Sequence, residues 1–150
     1  MATLILNEWI WADLWNENGR TKYEESIQLL TVLADNDDYI VFVIGGRAEE
    51  KLWRMCRNDS PEPQRRIGKI FHCNILLNSK KCKFIHVDDL PACPHHLVPE
   101  INQDDQYLIQ AQLAVPGSII VTCDTPLIIV LEKEHIPYEY RDRFIELYLK

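Results

Sequence analysis

Two converging carboxylates make this chain's best case for chemistry. Asp104 and Asp105 lead an apolar segment with helical spacing, and Asp124 follows the strand-like run Ser118-Ile-Ile-Val-Thr122-Cys. In an open parallel sheet, ligands bind beyond the carboxyl ends of the strands. An acid delivered by a strand end and another by the preceding helix would therefore face one cleft. Hard divalent cations take oxygen ligands, and a cation held there would support metal-assisted hydrolysis of phosphodiesters. Each acid also has a plain local role. Asp124 suits a helix N-cap, and Asp104 and Asp105 suit a first helical turn, where negative charge complements the helix dipole.

Other chemistry is less well marked. Cys93-Pro-His95-His96, with Cys82, Cys73 and His72 upstream, invites a zinc reading. However, the gaps are irregular, whereas structural zinc sites show defined CxxC or HxxxH spacing. Gly45-Gly46 ends a strand-like run, but no GxxxxGK[ST] or GxGxxG follows, so a tight turn is expected rather than a phosphate loop. Trp9, Trp11, Trp15 and Trp53 are expected in the core or at an oligomer interface, a possible homodimer. Base stacking beside the first strand is the sharper alternative.

These side chains need a frame. Leu4-Ile-Leu6 suits a short buried strand. Residues 9–15 and 23–34 carry helical spacing, the latter through Ile27, Leu30 and Leu33. Tyr39-Ile-Val-Phe-Val-Ile44 is continuously β-branched or aromatic, as in a central parallel strand. Residues 47–57 and 64–78 predict helices, with Ser60 and Pro61 as the start signal of the second. Residues 82–87 predict a third strand, and three prolines mark 88–100 as loop. Residues 101–114 predict a helix, 118–122 a strand, 124–134 a helix, 136–139 an edge strand beside Pro137, and 140–149 a closing helix. Strands alternating with helices predict an α/β fold, a three-layer α/β/α domain with a mostly parallel sheet of four or five strands. Nothing in the chain marks a second domain.

Composition narrows the class. The 150 residues are 47% hydrophobic and 26% charged, ordinary for a soluble globular domain large enough to bury a core. No apolar run approaches the ~20 residues of a membrane span, so no membrane partner is expected. The chain runs straight into Thr3-Leu-Ile-Leu6 without a basic leader, and its five cysteines form no CxxC pair. Both features predict a cytoplasmic location. The net charge of -7 argues against generic nucleic-acid binding. Between Gly45 and Ile85, however, ten Lys/Arg face four acids, against six and nineteen elsewhere. That basic middle suits a phosphate-tracking face or a solvated helix surface.

The pattern Asp104-x-x-Tyr107-Leu-Ile-x-Ala111-x-x-Ala114, then Gly117, then Ile119-Ile-Val-Thr122-x-Asp124 resembles the C-terminal half of a PIN domain. It is similar to the prokaryotic branch that includes the toxins of toxin-antitoxin pairs. His135-Ile-Pro137, Glu139-Tyr140 and Phe144 extend the likeness. The similarity is specific over residues 100–147, and before that it rests on the order of elements.

The resemblance implies an endoribonuclease that uses Mg2+ or Mn2+ on single-stranded RNA, with an antitoxin protein as a possible partner. By matching position, Asp104 is the third acid of the family's pocket, Asp124 the fourth, and Thr122 the small hydroxyl before it. Glu49 or Glu50 would supply the second acid, so the metal set would be Asp104, Asp124 and Glu50 or its neighbour. Arg47, Arg54, Arg65 and Arg66 would hold flanking phosphates. The first acidic position departs from the family: Asn7 stands there, with Glu8 beside it. In an extended strand, neighbours point to opposite faces, so Glu8 serves only if the chain has already turned. Asn7 feeds the alternative of a catalytically degenerate PIN-like domain acting in RNA binding or protein interaction.

Overall fold

The computed structural model describes all residues from Met1 to Lys150. Five strands, β1 (Thr3–Leu6), β2 (Tyr39–Ile44), β3 (Cys82–His86), β4 (Ile119–Thr122) and β5 (Tyr138–Tyr140), form one sheet in the order β3-β2-β1-β4-β5. Every pairing is parallel. Around it lie α1 (Trp9–Leu14), α2 (Arg20–Asp35), α3 (Arg47–Cys56), α4 (Glu62–Phe71), α5 (Gln106–Ala114), α6 (Thr125–Lys133) and α7 (Arg141–Tyr148). The three-layer α/β/α architecture expected from the sequence is thus present. Strand order grows from β1 toward β2 and β3 on one side and resumes with β4 on the other. The gap between β1 and β4 is the topological switch point, where such sheets bind ligands.

Period-two alternation divides the interior into two cores. Leu4, Ile40, Phe42 and Val121 face a cluster completed by Trp9, Trp11, Leu29, Leu33, Leu52, Met55 and Phe71. Ile5, Val41, Val43 and Ile120 face the other, completed by Leu108, Ile109, Leu127 and Leu131. Burial on both faces explains why β2 is apolar at every position. Leu97 and Ile101 insert into the second core and so anchor the proline-rich segment.

Several boundaries differ from expectation. The helix expected over 64–78 stops as an α-helix at Phe71 and continues as one π turn, His72–Leu76. Gly68 is explained by packing: a Cβ there would lie 2.9 Å from Cys56 Sγ and 3.1 Å from Met55 Cβ, so its absence lets α3 and α4 approach. Ser60 does not cap α4, which begins after Pro61; its hydroxyl donates to the Arg54 carbonyl. The helix expected from residue 101 starts at Gln106, after a 3-10 turn over Gln103–Asp105. No helix is long and apolar enough to cross a membrane.

One buried polar network was not anticipated. Asp13 and Arg141 are 1% and 2% exposed and pair at 2.8 Å. Ser26 Oγ and Asn18 Nδ2 donate to the Asp13 carboxylate, and Arg141 also donates to Glu25 and Asp142. The guanidinium lies 5.3 Å from the Trp9 ring centroid. Satisfied on every side, the pair ties α1, α2 and α7 together below the switch point.

Candidate active site

The carboxyl edge between β1 and β4 is organised by one hydroxyl. Asn7 N–H extends the ladder to the Val121 carbonyl at 3.1 Å, so the Asn7 side chain points to the same face as Ile5, toward Thr122. Asn7 Nδ2 donates to Thr122 Oγ1 at 2.9 Å, while Asn7 Oδ1 accepts from Glu8 N at 2.7 Å. Thr122 Oγ1 also accepts from Asp124 N at 3.1 Å. With both lone pairs engaged, the Thr122 proton is left to donate.

Glu8 adopts helical dihedrals and leads into α1. The chain has therefore turned, and Glu8 leaves the strand direction. Its carboxylate accepts from Arg47 Nε at 2.5 Å and from Arg47 Nη2 at 3.3 Å. Arg47 Nη1 lies 3.5 Å from Asp104 Oδ1. Asp124 accepts from Leu127 N at 3.5 Å, so the N-cap role is filled by a long bond.

Asp105 lies beside Asp124, and burial pushes its pKa up to about 6, helped by Asp124 and by the negative charges of Glu8 and Asp104. The Tyr107 hydroxyl is also raised, first by burial and then by Glu8 and Asp105, with Arg47 opposing. An open cleft of about 360 Å³ is lined by Val43, Gly46, Arg47, Val87, Gln103, Asp104 and Tyr107 among others. At the neighbouring Gly45, with φ +85°, a Cβ would meet His86 and Val87 at 3.1 Å. Gly45-Gly46 thus provides a tight turn at a close approach.

Asn7, Glu8, Thr122, Asp104 and Asp124 therefore gather as the sequence suggested, with one shift. Asp105, which the sequence did not single out as a ligand, lies beside Asp124, whereas Asp104 faces Arg47. Asn102 Oδ1 accepts from Asp104 N and closes a turn that leaves the Asp104 side chain 59% exposed beside Arg47. Helical phase carried the signal. Asp105 stands three and four residues before Leu108 and Ile109, both fully buried, and so shares the inward face of α5.

Glu49 and Glu50 do not join the cluster. They are first-turn acids of α3, and Glu50 lines a separate groove with Arg47, Lys51, Arg54 and Arg57. Arg65 and Arg66 line neither space, and Arg66 is paired with Glu62 at 2.7 Å. The zinc alternative is dispersed. Cys82 packs in the first core and Cys93 against the second, on opposite faces of the sheet, while His96 bonds to Glu134.

The donor set fits a hard divalent cation in part. Neighbouring carboxylates are an anionic anchor of the kind such ions take, and burial with the surrounding negative charge raises the Asp105 pKa. No three His, Cys, Asp or Glu side chains converge into a complete cage, because Glu8 is turned to Arg47 and Asn7 is neutral. Compared with known proteins, the chain matches no family model, no curated protein and no solved structure.

Proposed function

We propose that this chain is a PIN-like, divalent-cation-dependent endoribonuclease acting on single-stranded RNA, with Asp105 and Asp124 as its cation-holding pair. The observation that supports this reading is the gathering of Glu8, Asp104, Asp105 and Asp124 around Thr122 and Arg47 at the switch point, where burial and the neighbouring charges raise the Asp105 pKa. Mg2+ or Mn2+ bound there would neutralise charge on phosphoryl oxygens and acidify an attacking water. Thr122 keeps Asp124 in place through its N–H and fixes Asn7 as the neighbouring oxygen donor. Arg47, between Glu8 and Asp104, is placed to exchange those contacts for a substrate phosphate. Because cation and proton compete for Asp105, cleavage should rise as pH passes 6.

A fluorescent single-stranded RNA, incubated with Mn2+ and then with EDTA, tests the reading. Cleavage should need the ion, fall at least a hundredfold in Asp105→Asn and Asp124→Asn, and persist in Glu49→Gln and Glu50→Gln. Unchanged cleavage in Asp124→Asn would refute the assignment. A second reading, a catalytically silent PIN-like binding domain, is favoured by Asn7 at the first acidic position and by the engagement of Glu8 with Arg47. Under it, Mn2+ would give no thermal stabilisation. If the nuclease is a toxin, co-expression with a small protein from an adjacent gene should suppress its effect on growth.

A further inference from the structure

We propose that the outer face of α3 is a track for the phosphates of a single-stranded polynucleotide, ending on the stacked Arg54 and Trp15 side chains. This rests on the nuclease reading and deepens it by naming the path its substrate follows. Arg47, Lys51, Arg54 and Arg57 recur at intervals of four, three and three residues. The first three therefore share one helix face, a cation about every 4.5–6 Å along the axis, and Arg57 follows as the C-cap residue. With Glu50 they line a groove of about 440 Å³ that contains no hydrophobic residue.

Charge in this groove is not balanced from within. Arg47 is paired with Glu8 and Asp104, but Lys51, Arg54 and Arg57 enter none of the chain's ion pairs. In a chain of net charge -7, three uncompensated cations in one groove complement a polyanion. A row along one helix matches the backbone of a strand better than a single phosphate.

An aromatic trough of about 350 Å³ adjoins the row and shares Lys51 and Arg54 with it; Trp9, Trp11, Trp15 and Glu8 also line it. Trp9 and Trp11 are 6% and 3% exposed, whereas Trp15 is half-buried. The Arg54 guanidinium lies over the Trp15 ring, 5.1 Å from its centroid. Bases stack on aromatic rings and on guanidinium planes alike, so an unpaired base extends this stack. A duplex hides its base faces and cannot. Arg47 lines both the cation groove and the cleft that holds Asp104 and Tyr107, joining the track to the carboxyl edge of the sheet.

Fluorescence anisotropy in EDTA tests the track independently of cleavage, with short labelled single-stranded RNA, single-stranded DNA and duplex as probes. Single strands should bind more tightly than duplex. Each phosphate contact on a single strand contributes a salt slope of about 0.7. A Lys51→Ala/Arg57→Ala variant should therefore bind about 60-fold more weakly at 50 mM salt and approach the wild type near 1 M. Trp15→Leu should lose about fivefold or more at every salt concentration. If Trp15→Leu fails to fold, Arg54→Ala, which removes the exposed layer of the stack, takes its place. Preference for duplex, or an unchanged salt slope in the double variant, would overturn the track. Binding in EDTA without cleavage in Mn2+ would refute the nuclease reading alone.

Discussion

Asp105→Asn is the most informative single perturbation, because it separates folding from function. The folded Asp105 pKa is about 6, against an ordinary 3.8. That gap of about two units corresponds to at most ~3 kcal/mol at 1.36 kcal/mol per unit. The side chain is half-buried, so solvent screening reduces this to about 1–2 kcal/mol. The sign follows from proton binding. Between about pH 4 and pH 6 the folded chain holds a proton that the unfolded chain has released, so stability falls as pH rises through that window. Below pH 4 both states are protonated and the contribution is fully present. Asparagine keeps a donor toward Asp124 but cannot ionise. At pH 8 the variant should thus be more stable than the wild type by about 1–2 kcal/mol, or roughly 2–6 °C in Tm. At pH 4 the two should coincide. Urea unfolding of both proteins from pH 4 to pH 8 isolates the effect, since every other titrating group cancels in the difference. Mn2+ at pH 8 should stabilise the wild type and not the variant. A variant less stable than the wild type at pH 8, or a pH curve parallel to it, would show that the Asp105 carboxyl is not raised by its burial beside Asp124.

Two further substitutions probe the frame and the departure from the family pattern. Asp13→Ala leaves the Arg141 guanidinium buried and unpaired, so it should destabilise by about 3–5 kcal/mol in urea unfolding, while Asp13→Leu/Arg141→Met should recover most of the loss. Asn7→Asp adds a carboxylate beside Thr122, close to Asp124. It should lower metal-free stability at pH 8 by about 1–3 kcal/mol and enlarge the Tm increase on adding Mn2+. A smaller Mn2+ response than in the wild type would show that position 7 does not face the ion.

The frame was legible because its signals are local. The β-branched run of β2, the helical spacing of α2 and the proline cluster before α5 each lie within a short window, and each became the expected element. The site was legible to the level of neighbourhood: strand ends and helix starts were readable, so Asn7, Thr122 and Asp124 were placed at the right edge. The errors came from orientation. One residue along a helix is a rotation of about 100°, enough to turn Asp104 outward to Arg47 and Asp105 inward to Asp124. Glu49 and Glu50 were assigned by element order alone, and the first turn of α3 does not point them at the cluster.

By itself, then, the sequence determined an alternating α/β chain whose acids fall at the carboxyl ends of its strands. Periodicity and turn chemistry act over a few residues and need no distant partner. Tertiary structure decided which charges meet. Glu8 and Arg47 are separated by 39 positions, and Asp13 and Arg141 by 128. Their pairings exist only because the strands order as β3-β2-β1-β4-β5. Whether a carboxylate is neutralised by a guanidinium or left beside other carboxylates depends on a few ångströms of side-chain position, and packing sets that distance.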